Sequence, residues 1–262
     1  ELKRTEAEAR SYASSLELLN QALATSQATR EKASEMKSEY LVQLSAKVNQ
    51  NLSTILDTIE SSGQADGLEE ILDSSRHLMS ALDRILDLAQ LETGDLVFDP
   101  QPCNIIELTR ETVEGRRPGA EAKGLELVLD LPGALPDSVE CDAVRYRQAL
   151  DILLENSIQH TDRGSVLVEM RMEPTADWQR SRLKLRIRDS GPGVPSELEG
   201  RLYEPFASHG PHAGTGLGLA LTRQLARCMG GDVTHEDAPE RGSIFTLSMQ
   251  VGTVSGARMV GG

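Results

Sequence analysis

The chain has 262 residues, a formal net charge of −14 and a sequence pI near 4.9. This length suits one or two domains, each with a real hydrophobic core. The acidic balance argues against a nucleic-acid binder, which usually carries a basic face, and it suits proteins or small ligands as partners. Aromatic residues make up only 3% of the chain, so Leu, Ile, Val and Ala must fill the core.

No membrane segment is expected, because the longest apolar runs cover only a few residues. No signal peptide is recognisable either. The sequence opens inside a helical pattern. We therefore expect a cytoplasmic protein, or the cytoplasmic part of a membrane-anchored receptor.

The three cysteines, Cys103, Cys141 and Cys228, are odd in number and widely spaced. They form no CxxC pair and no Cys/His spacing typical of zinc. The spacing therefore favours reduced thiols in a cytosolic protein.

The first 36 residues predict a coiled-coil helix. Apolar side chains recur there at alternating spacings of four and three, the spacing of a two-stranded seam. Ser26 and Arg30 fall on this seam and weaken it. The other seam positions are Tyr12, Leu16, Leu19, Leu23 and Ala33.

Residues 37–94 predict a helical hairpin. One apolar stripe runs from Leu41 to Ile59, a turn-rich stretch covers 61–67, and a second stripe runs from Leu68 to Ala89. We expect Gly94 to end the second helix. A single hairpin leaves both stripes half covered, so we expect a homodimer with a four-helix bundle. Periodicity alone favours a bland alternative, a structural coiled-coil stalk.

An α/β layer structure is predicted for residues 95–251, after a boundary marked by Pro100 and Pro102. Alternating apolar and polar residues indicate strands, and longer amphipathic stretches indicate helices. The predicted strands are 125–131, 166–172, 182–188 and 243–250, and the predicted helices are 105–115, 142–160 and 217–229. The Gly-rich tail, 252–262, is expected to be flexible.

Three polar or glycine-rich elements of this second half suggest a nucleotide site. Asn156 lies late in a predicted helix, and its amide oxygen suits Mg²⁺. Asp189 ends a predicted strand, where a carboxylate can accept from an exocyclic amine. The glycine run 214–219 precedes a helix, whose N-terminus favours phosphate. Each alone is more often structural, as a helix-surface Asn, a capping Asp or a tight turn.

Together these elements resemble the ATP-binding domain of sensor histidine kinases, which has the Bergerat fold shared by gyrase and mismatch-repair ATPases. Residues 147–161 look like the family's N box and 189–193 like its G1 box. Residues 203–206 look like its F box and 214–219 like its G2 box. Residues 242–247 are similar to its last strand, and 85–94 to the usual end of its second hairpin helix. The resemblance covers roughly residues 34–250.

The resemblance implies ATP and Mg²⁺ as ligands, with Asn156 on the metal, Asp189 on adenine and the glycines beside the triphosphate. The implied nucleotide-binding set is Asn156, Gln159, His160, Asp189, Gly191, Gly193, Phe206, Gly214, Thr215, Gly216, Leu217, Gly218 and Leu219.

The chain departs from the family at the phosphoacceptor. Where the family has Ser-His-Glu-x-Arg-Thr-Pro-Leu, residues 45–52 read Ser-Ala-Lys-Val-Asn-Gln-Asn-Leu. Ala46 stands in place of the imidazole nucleophile, and Lys47 in place of the neighbouring acid. Gln50 lies one helical turn after Ala46, where the family places a residue that aligns water for phosphatase action. One lost residue would indicate an engineered trap, whereas several lost together indicate a naturally degenerate site. Both hold if the His was removed from an already divergent box.

The ATP-binding boxes and the lid also lack some of the family's usual residues. Ile152 replaces the upstream Asn of the N box, and Gln159 replaces a usual Lys or Arg. The lid, 207–213, is short and lacks Lys and Arg, which leaves only His209 and His212 to approach phosphates; both are expected to be solvent-exposed. We expect nucleotide binding to be retained but weakened. His77 and His235, the other candidate acceptors, are expected to be surface residues.

Two functional hypotheses follow. The first is the core of a two-component histidine kinase, passing phosphate to a response-regulator receiver domain, with no autophosphorylation at position 46. The second is a pseudokinase scaffold that signals by conformation or by pairing with another histidine kinase. The retained ATP boxes favour the first, and the eroded stretch 47–51 favours the second. An ATPase that acts on nucleic acid or client proteins is disfavoured by the signalling-type hairpin.

Overall fold

A computed structural model describes residues 79–91, 94, 96–207 and 215–260. The chain divides into two compact units, residues 1–82 and 83–262, and almost all described residues belong to the second. The predicted coiled coil, 1–36, and most of the predicted hairpin lie outside the described residues.

Within the described part of the chain, no helix is both long and apolar enough to cross a membrane.

The described end of the predicted hairpin is helix α1, residues 79–91. Gly94 has a φ of +76°, and its N–H donates to the carbonyl of Leu91 at 3.3 Å. This is the left-handed glycine that commonly ends helices, so the predicted stop at Gly94 is confirmed. Leu88 and Leu91 are buried in the main core. The last turns of α1 therefore belong to the same compact unit as the sheet that follows.

A seven-stranded sheet forms the centre of this unit. Its strands are β1 Gln101–Cys103, β2 Leu125–Asp130, β4 Val139–Cys141, β5 Gly164–Pro174, β6 Arg180–Asp189, β7 Asp232–Asp237 and β8 Ser243–Thr253. In space they run β1-β4-β8-β6-β5-β2, and β7 also pairs with β8. Among the described strands of this sheet, only β2 and β5 pair in parallel, while the other pairs are antiparallel. A second, two-stranded sheet pairs β3 (Leu135–Pro136) with β9 (Met259–Val260).

Three further helices supply the other layer: α2 (Ile105–Ala122), α3 (Ala143–Gln159) and α4 (Gly218–Cys228). The N-caps of α2 and α3 are Asn104 and Asp142, whose side chains accept from backbone N–H groups within the first turn. A short 3₁₀ turn, Ser196–Leu198, precedes the F box.

Helix α2 runs past its predicted end at Gly115. Ala120 is fully buried in its last turns, and the Arg117 guanidinium donates to the carbonyl of Leu127 at 3.1 Å. Tertiary packing therefore overrides the helix-breaking tendency of Gly115 and Pro118.

The central strand β6 confirms the predicted alternation. Leu183, Leu185 and Ile187 are fully buried beneath the helices. The basic residues between them lie on the opposite face, where Lys184 pairs with Glu173 at 2.8 Å and Arg186 pairs with Glu169 and Glu236. The basic stripe is therefore an ion-paired outer sheet face.

The tail differs from the flexible segment predicted from residue 252. Strand β8 continues to Thr253, and β9 then pairs with β3. The Arg258 N–H donates to Asp137 Oδ1 at 3.0 Å, and the Asp137 N–H donates to the Arg258 carbonyl at 2.8 Å. The partners are more than 120 residues upstream, so local composition gave no sign of the pairing.

A matched pair of methionine substitutions tests this core. Met170 is fully buried on β5, whereas Met259 on β9 is exposed. We expect Met170→Ala to lower the free energy of unfolding by about 2–5 kcal/mol, through lost burial and a residual cavity. Met259→Ala should stay within about 0.5 kcal/mol of the wild type. Urea unfolding of both variants measures the difference, and equal losses would contradict this core.

Candidate functional site

Asp189 is the last residue of β6 and is buried. Its Oδ1 accepts from the backbone N–H of Gly191 at 2.9 Å and from that of Ser243 at 3.1 Å. Its Oδ2 receives no hydrogen bond from the residues that the structure describes. Burial raises the pKa of this carboxyl above its ordinary value, although the two N–H donors act in the opposite direction. Asp189 thus has one fixed oxygen and one oxygen able to accept from a ligand.

Gly191 packs the turn after β6 against the end of α3. A Cβ at this position would lie 2.7 Å from the His160 carbonyl oxygen and 3.0 Å from Asp189 Oδ1. Only glycine allows so close an approach. The sequence-predicted G1 and N boxes are therefore brought into contact.

The end of α3 carries the predicted metal ligand. Asn156 is half-buried, and its carbonyl accepts from the N–H of the C-cap residue His160 at 3.1 Å. Lys123 Nζ donates to the carbonyls of Ile158 and Gln159 at 2.9 and 2.8 Å. A cation at a helix C-terminus is stabilising. Lys123 was missed from sequence, because it lies after α2, far from the N box in the chain.

The ring of His160 is affected by the same surroundings. Desolvation lowers the pKa of His160, Lys123 lowers it further, and the nearby Asp189 carboxylate opposes both. A lowered pKa favours the neutral imidazole at neutral pH.

The F box meets the start of α4 through backbone contacts. Phe206 has a φ of +63°, and its N–H donates to the Gly216 carbonyl at 3.0 Å. A Cβ on Gly216 would lie 2.6 Å from the Phe206 carbonyl carbon. A Cβ on Gly218 would lie 2.9 Å from Ile152 Cγ2 on α3. These close approaches place the F box, the G2 box and the N-box helix side by side.

No side chain among the described residues caps the first turn of α4. Its N-cap residue, Leu217, provides no side-chain hydrogen bond, and the first turn contains no acidic residue. The first N–H groups of a helix have no partner within the helix, and its dipole favours negative charge there. Thr215 Oγ1 accepts from the Leu217 N–H only at 3.4 Å. The segment therefore suits an anion such as phosphate.

A network of charges ties α1 to α3 beside this site. Arg84 Nη2 lies 2.6 Å from Glu155 Oε2, and Glu155 directly precedes Asn156 in the chain. Glu155 also pairs with Arg116 at 3.6 Å, and Arg116 forms an ion pair with Asp151. A Cβ on Gly218 would lie 3.5 Å from Arg84 Nη1, so this guanidinium lies close to the start of α4. Sequence patterns gave no signal for Arg84.

A second contact of α1 lies one turn further on. Asp87 accepts from Arg145 at 3.0 Å and from Gln148 Nε2 at 2.6 Å. Both donors lie in the first half of α3. The last turns of α1 are therefore fixed along most of the N-box helix.

The remaining predicted residues divide into two groups. Gly193, in the G1 turn, has a φ of +88°, and Leu219, in the first turn of α4, packs on the core. Outside the described residues lie Ala46, Lys47, Gln50, Gly214, His77, His209 and His212. His235 is half-buried on β7, with its ring centroid 5.0 Å from that of Phe245, so it is less exposed than predicted because β7 packs against β8.

Comparisons with known proteins match the part of the chain that carries these residues. Residues 141–253 match the family of histidine kinase-, DNA gyrase B- and HSP90-like ATPases. The chain is 31% identical over 244 residues to the signal transduction histidine-protein kinase BarA of Escherichia coli, covering 88% of the chain and 26% of BarA. It is 32% identical over 232 residues to the sensor protein GacS of Pseudomonas syringae, covering 84% of the chain and 25% of GacS. The chain thus spans about a quarter of these relatives.

Solved structures agree on the fold. The full-length ShkA structure, in complex with AMPPNP, has a TM-score of 0.61 and 26% identity, covering 78% of this chain and 42% of ShkA. The histidine kinase AdeS of Acinetobacter baumannii also has a TM-score of 0.61, at 22% identity, covering 79% of this chain and 95% of AdeS. The second likeness bears on the fold alone.

These similarities identify residues 141–253 as a Bergerat-type, ATP-binding catalytic domain of the kind found in sensor histidine kinases.

Proposed function

We propose that the chain binds ATP with Mg²⁺ as the core of a dimeric two-component sensor kinase and that it cannot phosphorylate itself at position 46. The observation that carries the nucleotide part is the buried Asp189 carboxylate. Its Oδ1 is held by two backbone N–H groups, and its Oδ2 is left to accept a ligand hydrogen bond. An exocyclic amine such as that of adenine is the matching donor.

The phosphates would lie at the N-terminus of α4. In the part of the chain that the structure describes, no side chain caps this terminus, and its first turn contains no acidic residue. Free N–H groups and the helix dipole attract a polyanion. The Arg84 guanidinium, which is paired with Glu155, also lies near the start of α4.

Asn156 would hold Mg²⁺ through its amide oxygen. Within the described ranges, no group of three or more His, Cys, Asp or Glu residues is arranged to hold a metal ion. The neighbouring Glu155 is paired with Arg84 and Arg116. A single oxygen ligand suits Mg²⁺, which keeps several waters and binds substrate phosphates rather than an all-protein cage. The ion, when bound, would neutralise phosphate charge.

Position 46 lacks the chemistry for phosphoryl acceptance. Ala46 has no nucleophilic atom, and Lys47 has no carboxylate to take a proton. A kinase with this site would bind ATP and leave the hairpin unphosphorylated at this residue. A response-regulator receiver domain remains the proposed partner, and Gln50 a candidate for a phosphatase role that needs no acceptor histidine.

The second candidate function is a pseudokinase scaffold that pairs with another histidine kinase. It is favoured by the eroded stretch 47–51, where several family residues are absent together. The two candidates differ in whether the ATP domain can still transfer phosphate.

Calorimetric titration with an unhydrolysable ATP analogue and Mg²⁺ tests the site. In Asp189→Asn, the amide oxygen can still accept the two backbone hydrogen bonds. The amide nitrogen then faces the adenine amine, and because both groups are donors, no hydrogen bond forms between them. Loss of a hydrogen bond to a charged group, about 1.5–3 kcal/mol, predicts roughly 10–100-fold weaker binding. Asn156→Ala should weaken binding only when Mg²⁺ is present.

Asp130→Asn is the matched control, because Asp130 is an exposed carboxylate at the end of another strand. It should bind as the wild type does. Equal affinity of Asp189→Asn and wild type, with both folded by circular dichroism, would refute the adenine contact.

Acidification should weaken binding by protonating Asp189. Its pKa is raised by burial, so the accepting carboxylate is lost at a higher pH than for an ordinary Asp. The ratio of the Kd of Asp189→Asn to that of the wild type should fall as the pH is lowered. This ratio cancels protonation of the nucleotide itself. A ratio that stays constant down to the acid limit of stability would contradict the assignment.

Restoring the acceptor distinguishes the two functions. We expect Ala46→His to incorporate acid-labile label from γ-labelled ATP, because the ATP domain would then have an imidazole nucleophile. The wild type reports labelling at any other acceptor, including His77. Ala46→His with Asp189→Asn should lose the label, and Ala46→His with Asp130→Asn should keep it. A silent Ala46→His protein that still binds nucleotide would favour the scaffold.

A further inference from the structure

Two cysteines that are 38 residues apart in sequence lie side by side in the fold. Cys103 is the last residue of β1 and Cys141 is the last residue of β4. In the antiparallel pairing, Gln101 lies opposite Cys141 and Cys103 lies opposite Val139. Residues 101 and 103 point to the same sheet face, so both thiols project to one side. Their Sγ atoms are 3.0 Å apart, close enough for one thiol to donate to the other.

We propose that Cys103 and Cys141 are a redox-active dithiol that closes reversibly to an intramolecular disulfide. The sulfurs need to approach by only ~1 Å to reach the length of an S–S bond. The proposal is independent of nucleotide binding, since neither thiol belongs to the ATP site described above.

The two thiols have unequal environments that suit two steps of exchange. Cys103 is half-buried and reachable, whereas Cys141 is buried. A hydrogen bond from Cys141 lowers the pKa of Cys103, and the same contact together with burial raises the pKa of Cys141. Cys103 is therefore the attacking thiolate, and Cys141 the thiol that resolves the intermediate.

The oxidant is a small disulfide of the glutathione class. The Cys103 thiolate attacks one sulfur of it, forms a mixed disulfide and releases one thiolate. The Cys141 sulfur then attacks Cys103 Sγ, its proton passing to the released thiolate, and the second small group leaves as a thiolate that takes up the proton Cys103 had lost to solvent. One dithiol and one small disulfide become one protein disulfide and two small thiols.

The disulfide would fix the chain segment that leads from α1 into the ATP-binding domain. Strand β1 is a three-residue edge strand that follows the segment 96–100 after α1. The Asp99 N–H already donates to Asp142 Oδ2 at 3.0 Å, and Asp142 is the N-cap of α3. A bond between residues 103 and 141 would therefore hold this segment to the start of the helix that carries Asn156.

Oxidation of the full chain with glutathione disulfide, without nucleotide, tests the proposal. After alkylation of free thiols, peptides are mapped by mass spectrometry without reduction. We expect a linked pair of peptides that contain Cys103 and Cys141. Its mass should be two hydrogen masses below the sum of the two free peptides, and dithiothreitol should cleave it. Cys228→Ser should give the same pair, because Cys228 is exposed at the end of α4 and belongs to neither strand.

Single variants separate exchange from mere packing. In Cys141→Ala the resolving thiol is gone, so a glutathione adduct should accumulate on Cys103. In the wild type this adduct should be at least about tenfold less abundant, because the neighbouring thiol displaces it. A persistent adduct on wild-type Cys103, or modification of Cys228 alone, would overturn the proposal.

Hydrogen exchange reads the structural consequence. In the oxidised chain, amides of 96–103 should exchange at least about tenfold more slowly than in the reduced chain, because the staple opposes local opening of the edge strand. Cys103→Ser should show no such change on oxidation. Unchanged exchange in a chain that carries the linked peptide would overturn the stapling role.

Discussion

The site depends on one buried carboxylate. Asp189 Oδ1 accepts from Gly191, two residues on, and from Ser243, at the start of β8. These two bonds fix the turn after β6 and align it with the neighbouring strand. Buried carboxylates are costly unless they are hydrogen-bonded, and here the donors are backbone groups, whose positions the sheet itself determines. The binding oxygen is thus positioned by the sheet.

The helices extend this constraint to the phosphate end. Gly191 lies so close to the end of α3, and Gly218 so close to Ile152 on the same helix, that neither position has room for a Cβ. Helix α3 is therefore in contact with the Asp189 turn and with the start of α4, and it also carries the proposed metal ligand. The ion pairs of Arg84 and Asp87 attach α1 to it. A displacement of the last turns of α1 would therefore be transmitted to the helix that carries Asn156.

The sequence predicted what repeats locally and missed what depends on distant partners. The alternation of apolar and polar residues predicted β5, β6 and β8, and Gly94 predicted the end of α1. Strands β1, β4 and β9 escaped, because segments of two or three residues show no period and are defined only by their partners. Lys123 and Arg84 escaped for the same reason, since each reaches α3 from another element. The separation of 38 residues likewise hid the contact of Cys103 with Cys141.

The site residues also differ in what their presence implies. Gly191 and Gly216 are demanded by the fold, because a Cβ at either would lie under 3.0 Å from backbone atoms. A scaffold that no longer bound nucleotide would need both, and the same holds for the Asp189 oxygen that holds two N–H groups. Asn156 is different: its side chain makes no hydrogen bond within the described part of the chain. The start of α4, which no side chain of the described residues caps, is likewise unfavourable for a helix without a bound anion. The Asn156 side chain adds no stability to the fold, and the start of α4 lowers it. Because the fold does not need these two features, they are stronger evidence for a working ATP site than the glycines are.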